Sequence, residues 1–397
     1  MSRRLPLPLF VALQAAMALG FGGWALWMRA DPAAERALPR LRETPLEVAP
    51  LYDDPSVVSD EELRRVLGRL ALRYSGMETS IGHVDHVLRL WGPEGDPGVE
   101  GGLSGSDLFA LTVDHERFAR IYGSEAPPLL IDVPGGGVRV RALEGSRSTS
   151  HVDHLVATLA ELGTPLSQPI RTPAGGTTYR AIVEQSLRDF SLNQAEYEWS
   201  VLTFALLLPP AERWRTTEGQ EMTFGRLAER VMRERLPSGV CSAHHRMQAL
   251  VVMLRVDDLM AAEGSPRILD EAERQGILES LRRVSALLAK HQHAEGFWNF
   301  DWPFATAASA VPTSEDGDRL GDRIIATGHA LEWWSLAPEE VLPPRGTIER
   351  AAGWIVSTVD GLSDAEIQQN ISFLSHAGRA LAQWRGMEPA EVAGRWR

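Results

Sequence analysis

The sequence predicts a mainly helical fold: a closed ring of helix pairs or an irregular bundle, preceded by a small α+β subregion and an N-terminal transmembrane helix. Three observations predict it. From Ser148 onward, apolar residues recur at helical spacing in one segment after another. Short Pro- and Gly-containing loops separate these segments, which favours antiparallel neighbours. A long uncharged apolar stretch lies near the N-terminus.

Composition is typical of a folded globular protein and excludes some classes of function. The 397 residues are 44% hydrophobic and 23% charged, enough for one large domain with an appendage or for two domains. The net charge is −13 and no basic stripe occurs, so nucleic acid is not an expected partner. A single cysteine excludes an intrachain disulfide framework and multi-cysteine zinc or iron–sulfur motifs.

Residues 1–30 are predicted to form a membrane anchor. No charged residue occurs from Leu5 to Met28, and a helix from Pro8 would rise about 31 Å, which covers the hydrocarbon core of a bilayer. The short basic tail before it indicates a single-pass protein of a bacterial inner membrane, with the C-terminal domain outside the cytoplasm. A cleaved signal peptide is the alternative, although its apolar region is usually shorter.

A tether and a small α+β subregion are predicted to follow the anchor. Residues 31–58 are rich in Pro, Ala and charge, as tethers are. The α+β subregion spans 59–146, with a helix over 81–91. Its one β-hairpin pairs 129–133 with 138–143 across a Pro-Gly-Gly-Gly turn, because apolar and basic residues alternate there.

Residues 147–397 are predicted to form the helical domain. Apolar spacing indicates helices over 151–161, 178–190, 193–208, 223–235, 242–258, 268–292, 318–336, 347–359 and 364–385. Many tryptophans fall on or beside these helices, so a wide aromatic-lined core or cavity is expected. No short repeat of about 34 residues is visible, which argues against a solenoid.

The segment Lys290–Trp298 reads Lys-His-Gln-His-Ala-Glu-Gly-Phe-Trp. It resembles the Gln-x3-Gly-x-Trp repeat of the prenyltransferase and squalene-cyclase toroids, which implies an α/α toroid or barrel. The resemblance gives Gln292, Gly296 and Trp298 a stabilising role. The Asp-x-Asp-Asp acid motif of the cyclases is missing, and so is the Asp-x-Cys of the prenyltransferase zinc site, so neither activity is implied.

A second segment, Gly328–Trp333, reads Gly-His-Ala-Leu-Glu-Trp. It resembles the Gly-His-x-x-Glu segment of N-acylglucosamine 2-epimerase-type α/α barrels, in which the histidine is an acid/base. The resemblance implies that role for His329, with Glu332 beside it. The second catalytic histidine of that family lies much farther along the chain than His376 does here.

Cys241, His244 and His245 open a predicted helix after a Pro-Ser-Gly turn. A helix N-terminus favours a thiolate, and these residue types at this spacing can bind one metal ion or form a nucleophile and base pair. We therefore predict Cys241, His244 and His245 as metal ligands. The alternative is that Cys241 is a small buried residue and the histidines satisfy the helix end.

The tetrapeptide His-Val-Asp-His occurs twice, at His83–His86 and at His151–His154. Histidines at positions i and i+3 of a helix share a face, so each copy could offer two metal ligands. The alternative is a polar helix start without any ligand, because short polar residues cap helices.

If the helices form a ring, its hollow is predicted to gather polar groups that are distant in sequence. The catalytic candidates are His329, Glu332 and His244, with a divalent metal as the cofactor considered. The remaining residues of the predicted pocket are His291, His293, Trp298, Asp301, Asp322 and Trp333. A solvated polar helix face is the alternative.

Two functions therefore stay open from the sequence. The first is a membrane-anchored protein of the cell envelope, whose helical domain is a binding or scaffolding platform for an envelope protein. The second is an enzyme with a His/carboxylate site, metal-assisted or not, that acts on a carbohydrate or lipid-like substrate.

Overall fold

The computed structural model describes residues 38–71, 79–96, 102–210, 212–234, 236, 240–302 and 320–394. The chain divides into two units, Met1–Leu38 and Pro39–Arg397, and only the second is described below. The predicted anchor, 1–30, lies outside the described residues. Within the described ranges, no helix is long and apolar enough to cross a membrane.

The described chain is mainly helical, as predicted. Its helices are α1 (Asp60–Leu70), α2 (Ile81–Trp91), α3 (Gly105–Val113), α4 (His115–Tyr122), α5 (His154–Glu161), α6 (Tyr179–Asp189), α7 (Glu198–Leu207), α8 (Phe224–Arg233), α9 (His244–Ala262), α10 (Glu271–His291), α11 (Leu320–Leu336), α12 (Arg345–Gly361), α13 (Asp364–Gln369), α14 (Ile371–Trp384) and α15 (Pro389–Gly394). Two short 3-10 helices also occur, Val240–Ala243 and Glu339–Val341.

Three antiparallel hairpins accompany the helices: one lies in the predicted α+β subregion, and the other two lie within residues 147–397, which were predicted to be helical. The strands are β1 (Leu130–Val133), β2 (Gly137–Val140), β3 (Pro169–Thr172), β4 (Gly175–Thr178), β5 (Trp214–Arg215) and β6 (Glu221–Met222). β1 pairs with β2 around the predicted turn, from Leu130 opposite Val140 to Val133 opposite Gly137. β3 and β4 lack the apolar alternation that reveals a strand, since β4 contains only Gly and Thr, and β5 and β6 have only two residues each.

Several predicted helix boundaries move for identifiable reasons. The helix predicted from residue 151 begins at His154, because Asp153 has a left-handed backbone with φ +57°. The helix predicted from residue 193 begins at Glu198, after Glu196 with φ +54°. The helix predicted over 364–385 is divided at Asn370 into α13 and α14. The first two changes leave His151 and Glu196 in turns rather than on helices.

Six helices, here called the inner set, pack in a closed cycle. They are α2, α5, α7, α9, α11 and α14; each packs on the next in this order, and α14 packs on α2. All ten residues of α7 are buried, which is the pattern of a helix surrounded by protein. Members of the inner set also pack against α1, α3, α8, α10 and α12. Because α2 belongs to this cycle, the predicted boundary at residue 146 does not separate two cores.

The segment predicted as a tether is not free beyond its first residues. From Pro39 it belongs to the compact unit, and its backbone N–H groups donate to carbonyl oxygens of the helical domain. Arg42 N–H donates to Leu207 at 2.8 Å, and Leu51 N–H donates to Ser335 at 3.0 Å. Residues 39–58 of the predicted tether are thus part of the compact unit, and residues 31–37 lie outside the described residues.

Candidate metal centre

Six histidines form a closed circuit where the inner helices meet, and we call them the imidazole circuit. Each is more than nine-tenths buried. They come from α2, α5 and the turn before it, α9, α11 and α14. Neighbouring ring centroids are separated as follows: His86–His154 4.4 Å, His154–His151 5.6 Å, His151–His245 5.5 Å, His245–His329 4.9 Å, His329–His376 4.0 Å and His376–His86 5.2 Å.

Three groups of three potential ligands lie in this region, and two of them share no residue. The first, called the three-histidine group, contains His86, His154 and His376. The second, called the cysteine group, contains Cys241, His245 and His329. Within each group the ligand atoms lie within 4.8 Å of one another. Three protein ligands around one ion leave a coordination position open, as catalytic zinc sites do.

Five of the six Nδ1 atoms of the circuit face oxygen acceptors, those of His86, His151, His154, His329 and His376. His376 Nδ1 also lies 3.2 Å from Arg89 Nη1, a donor, which competes there with the Glu332 carboxylate. His86 Nδ1 lies 2.6 Å from the carbonyl oxygen of Gly82, and His154 Nδ1 lies 2.6 Å from a carboxylate oxygen of Asp85. His151 Nδ1 pairs with the carboxylate of Glu196. In metalloproteins such a partner fixes the ring and leaves Nε2 for the metal.

The Nε2 atoms, on the other side of the imidazole rings, are placed as metal ligands would be. The Nε2 atoms of His154, His245, His329 and His376 are buried and have no hydrogen-bond partner among the described residues. Buried polar atoms are almost always paired, and an unpaired one costs about 1 to 3 kcal/mol. Several such atoms in one circuit could bind a shared ligand, and a metal ion is a ligand that suits imidazole Nε2 atoms.

Glu332 and two arginines support the circuit with charge. Glu332 Oε2 lies 3.0 Å from His329 Nδ1 and 3.2 Å from His376 Nδ1. Its other oxygen accepts from Arg89 at 2.5 Å and from Arg379 at 2.6 Å. Because of its hydrogen bonds to the two imidazoles, Glu332 also forms a group of potential ligands with His329 and His376. Its carboxylate is already occupied, so we assign it to orienting the imidazoles.

Burial sets the protonation of these groups. It lowers the pKa of His86, His154 and His376 well below the ordinary value, so these imidazoles are neutral and able to bind a metal. Burial would raise the pKa of Glu332, but Arg89 and His376 hold it well below its ordinary range.

Cys241 differs from the histidines in its protonation. Burial, followed by the charges of Glu196 and Glu332, raises the pKa of its thiol well above the ordinary value. The expected helix N-terminus does not activate it, since Cys241 lies in the 3-10 turn before α9. A metal ion would be needed to remove its proton.

Backbone strain is concentrated at the same place. Five non-glycine residues of the described chain have positive φ, and four of them adjoin the circuit: Asp153, Glu196, Cys241 and Ala243. Such conformations cost on the order of 1 kcal/mol each and cluster at functional sites. These strained residues position His154, the start of α9, and Glu196, whose carboxylate pairs with His151.

A pocket of about 430 Å³ opens onto the circuit. Its lining includes His86, His151 and Cys241, so both ligand groups reach it. The remaining lining residues are Ser80, His83, Leu143, Ser150, Val152, Ala195, Glu196, Ile325, Gln369, Ser372 and Phe373. Among the described lining residues there is no lysine or arginine.

The structure brings together five of the predicted site residues: Cys241, His244, His245, His329 and Glu332. Trp333 joins them, because its indole N–H donates to His244 Nδ1 at 3.1 Å.

Other predicted pocket residues lie away from the imidazole contacts of the circuit. His291 ends α10 and is half-buried, His293 stacks on Phe297 at 4.3 Å, and Asp301 is exposed. Asp322 is a half-buried residue in the first turn of α11.

Trp298 is buried and structural. Its indole N–H donates to Leu288 O at 2.8 Å. Gln292 Nε2 donates to Gly296 O and Thr347 O, each at 2.8 Å. This is the stabilising role that the first resemblance gives to Gln292, Gly296 and Trp298.

Four members of the circuit were not chosen from the sequence as ligands: His86, His151, His154 and His376. Three of them belong to the repeated His-Val-Asp-His, which therefore was the available signal. A helix cap explained that motif equally well, and only the packing of α2 against α5 distinguishes the two readings. His83, from the same motif, lines the pocket instead.

Comparison with known proteins adds no relative. No protein-family model, no curated protein and no solved structure matches this chain.

Proposed function

We propose that the chain is a metal-dependent enzyme with two neighbouring transition-metal ions at the imidazole circuit. One ion binds the three-histidine group and the other binds the cysteine group. The observation that carries the proposal is the opposite state of the two ring nitrogens. In His154 and His329 the Nδ1 atom meets a carboxylate oxygen, while the buried Nε2 atom has no partner among the described residues. His376 shows the same pattern toward Glu332, although Arg89 Nη1 also lies 3.2 Å from its Nδ1.

The donor set favours zinc or copper. Imidazole nitrogen suits both metals, and a thiolate favours zinc and monovalent copper over calcium or magnesium. The carboxylate of Glu332 is held by Arg89 and Arg379 and is not free to bind a hard cation.

The pocket supports catalysis rather than a platform role alone. Three-ligand groups leave room for water or substrate on the metal, and the pocket reaches both groups. Its lining offers serine hydroxyls and the Gln369 amide, with no lysine or arginine among its described residues. This lining fits an uncharged polar substrate, such as a carbohydrate-like molecule, better than a phosphorylated one.

The packing also supports an α/α toroid as the detailed architecture. The inner set closes on itself, and most of its members are joined in sequence through helices that pack on that set. The proposal includes the N-terminal anchor and an envelope location, both of which rest on the sequence of residues 1–30. Relationship to the prenyltransferase-type or epimerase-type proteins remains a prediction.

Metal content tests the proposal. We expect the purified full-length chain to bind two Zn²⁺ or two copper ions, measured by elemental analysis after dialysis. His154→Gln should remove the ion of the three-histidine group, and His245→Gln should remove the ion of the cysteine group. Each variant should therefore retain one ion.

His293→Gln is the matched control, because His293 lies outside the circuit and contacts Phe297. It should keep both ions. The two-ion centre would be refuted if the wild-type chain retained no metal after dialysis. It would also be refuted if all three variants lost the same amount of metal.

A further inference from the structure

His244 lies beside the cysteine group but does not belong to it. It is fully buried at the start of α9, and its ring centroid is 6.1 Å from that of His329. The ring also stacks on Trp302 at 5.5 Å. Its Nε2 atom is buried and has no partner among the described residues.

Trp333 fixes the tautomer of His244. An indole N–H can only donate a hydrogen bond, and it donates to His244 Nδ1 at 3.1 Å. His244 Nδ1 is therefore an acceptor without a proton, which places the ring proton on Nε2. A protonated Nε2 cannot bind a metal, so His244 is excluded from the ligand set while this hydrogen bond exists.

The charge of the centre indicates what the Nε2–H group meets. Arg89 and Arg379 balance Glu161 and Glu332 before any metal binds. Two divalent ions then bring four positive charges, and the remaining acidic groups that contact the circuit or belong to the cysteine group can neutralise at most three. These acidic groups are Cys241, Asp85 and Glu196. An anion from solution would complete both the charge and the coordination.

We propose that His244 is a hydrogen-bond donor to an anionic or oxygen ligand on the ion of the cysteine group, and not a metal ligand. This inference rests on the proposed metal centre. The Nε2–H group would hold a metal-bound hydroxide or substrate oxygen in place. Trp333 would keep His244 in this role by preventing the tautomer that could bind the metal.

Azide binding to the Co²⁺-loaded full-length chain tests this role. We expect His244→Phe to retain two Co²⁺ ions and to weaken azide binding about tenfold, measured by optical titration. His244→Gln restores an N–H donor and should recover part of the affinity. Loss of one Co²⁺ in His244→Phe would show that His244 is a ligand, and an unchanged azide affinity would show that it donates nothing.

The tautomer can be measured without metal. In the metal-free chain, long-range ¹H–¹⁵N spectra should show His244 with its proton on Nε2, assigned by the signal lost in His244→Gln. Trp333→Phe should convert part of that signal to the other tautomer. A proton on Nδ1 in the wild type would overturn the inference even if two metals bind. A wild type that binds no Co²⁺ would overturn the metal centre and this role together.

Discussion

Glu332 connects the largest number of charged and polar partners at the centre. One carboxylate meets two imidazoles and two guanidinium groups, and all but Arg379 are more than nine-tenths buried. Removing one partner of a buried ionic network leaves the others uncompensated. The resemblance to the epimerase-type barrels implies a catalytic His329 with Glu332 beside it. The hydrogen bonds of Glu332 instead give this carboxylate the role of orienting the imidazoles.

We expect Glu332→Gln to lower the free energy of unfolding of the metal-free chain by about 3 to 5 kcal/mol. The reason is that Arg89 loses a buried counter-charge. Metal affinity should also fall about 10- to 100-fold, because His329 and His376 lose the acceptor that orients them. Urea unfolding and metal titration measure the two effects.

Glu340→Gln is the control for Glu332→Gln. Glu340 pairs with Arg282 at the surface, so its neutralisation should change neither quantity appreciably. Equal effects of the two substitutions would contradict the importance of the buried network.

Cys241 supplies the sulfur in the cysteine group. Its thiol is 1% exposed, so the native metal-free chain should react with a thiol reagent only slowly. In the Co²⁺-loaded chain we expect a sulfur-to-cobalt charge-transfer band in the near-ultraviolet. Cys241→Ser should lose this band and keep the ion of the three-histidine group. The same band in Cys241→Ser would mean that Cys241 is not a ligand.

At the scale of helices, α11 and α14 approach each other closely at Gly328. A Cβ atom at this position would lie 3.0 Å from the backbone nitrogen and 3.2 Å from the Cβ of Ala377. His329 follows Gly328 in α11, and His376 precedes Ala377 in α14. The centroids of their two rings are 4.0 Å apart. Gly328 thus permits the contact that brings these two imidazoles together.

We expect Gly328→Val to destabilise the chain by about 1 to 3 kcal/mol, because α11 must move away from α14. It should also weaken metal binding by separating His329 from His376. Gly353→Val is the matched control, since nothing lies within 4 Å of a Cβ at Gly353 in the middle of α12. Its effect on stability should stay within about 0.5 kcal/mol. Similar losses from both substitutions would argue against close packing as the cause.

Helices were predictable because their apolar period and end signals are local. Ser59 and Glu62 begin α1 with a capping box, a pattern of residues three apart, and Ser59 N–H donates to Glu62 Oε2 at 2.9 Å. The left-handed residues Asp153 and Glu196 were not predictable, because tertiary contacts impose their backbone. Asp153 accepts from Ser186 at 2.6 Å, a contact between residues 33 positions apart.

The site was predictable only in part for the same reason. Cys241, His244 and His245 adjoin in sequence and could be recognised together. His86, His154 and His376 become a group only when α2, α5 and α14 pack, and no local pattern records that packing.

For the whole molecule, the buried neutral histidines predict how stability depends on pH. Burial lowers the pKa of the half-buried His83 and of six buried imidazoles, while the pKa values of these groups in the unfolded chain stay near 6.5. The six residues are His86, His154, His244, His245, His329 and His376. Below about pH 6.5 the unfolded chain binds more protons than the folded chain. The free energy of unfolding therefore decreases as pH falls from about 7 toward the folded-state pKa values.

Each histidine contributes at most about 1.4 kcal/mol per pH unit. Asp85 acts in the opposite direction, because burial raises its pKa to about 7, and its contribution is lost as pH rises through that value. Asp153 and Glu198, whose pKa burial also raises, act in the same direction as Asp85. The more numerous imidazoles should outweigh these three carboxyl groups. Urea midpoints of the metal-free chain should thus decrease from pH 7.5 to pH 5.5, and a constant midpoint would contradict neutral buried imidazoles.

The closed cycle of inner helices has a consequence for how the chain holds itself together. An ion on His86, His154 and His376 would connect positions that are 68 and 222 residues apart along the chain. Such an ion would restrict the unfolded chain as a long-range cross-link does. We expect the metal-loaded chain to survive limited proteolysis longer than the chelator-treated chain. Metal occupancy would then determine which molecules escape degradation. Equal survival of the two forms would exclude this cross-linking role of the ion.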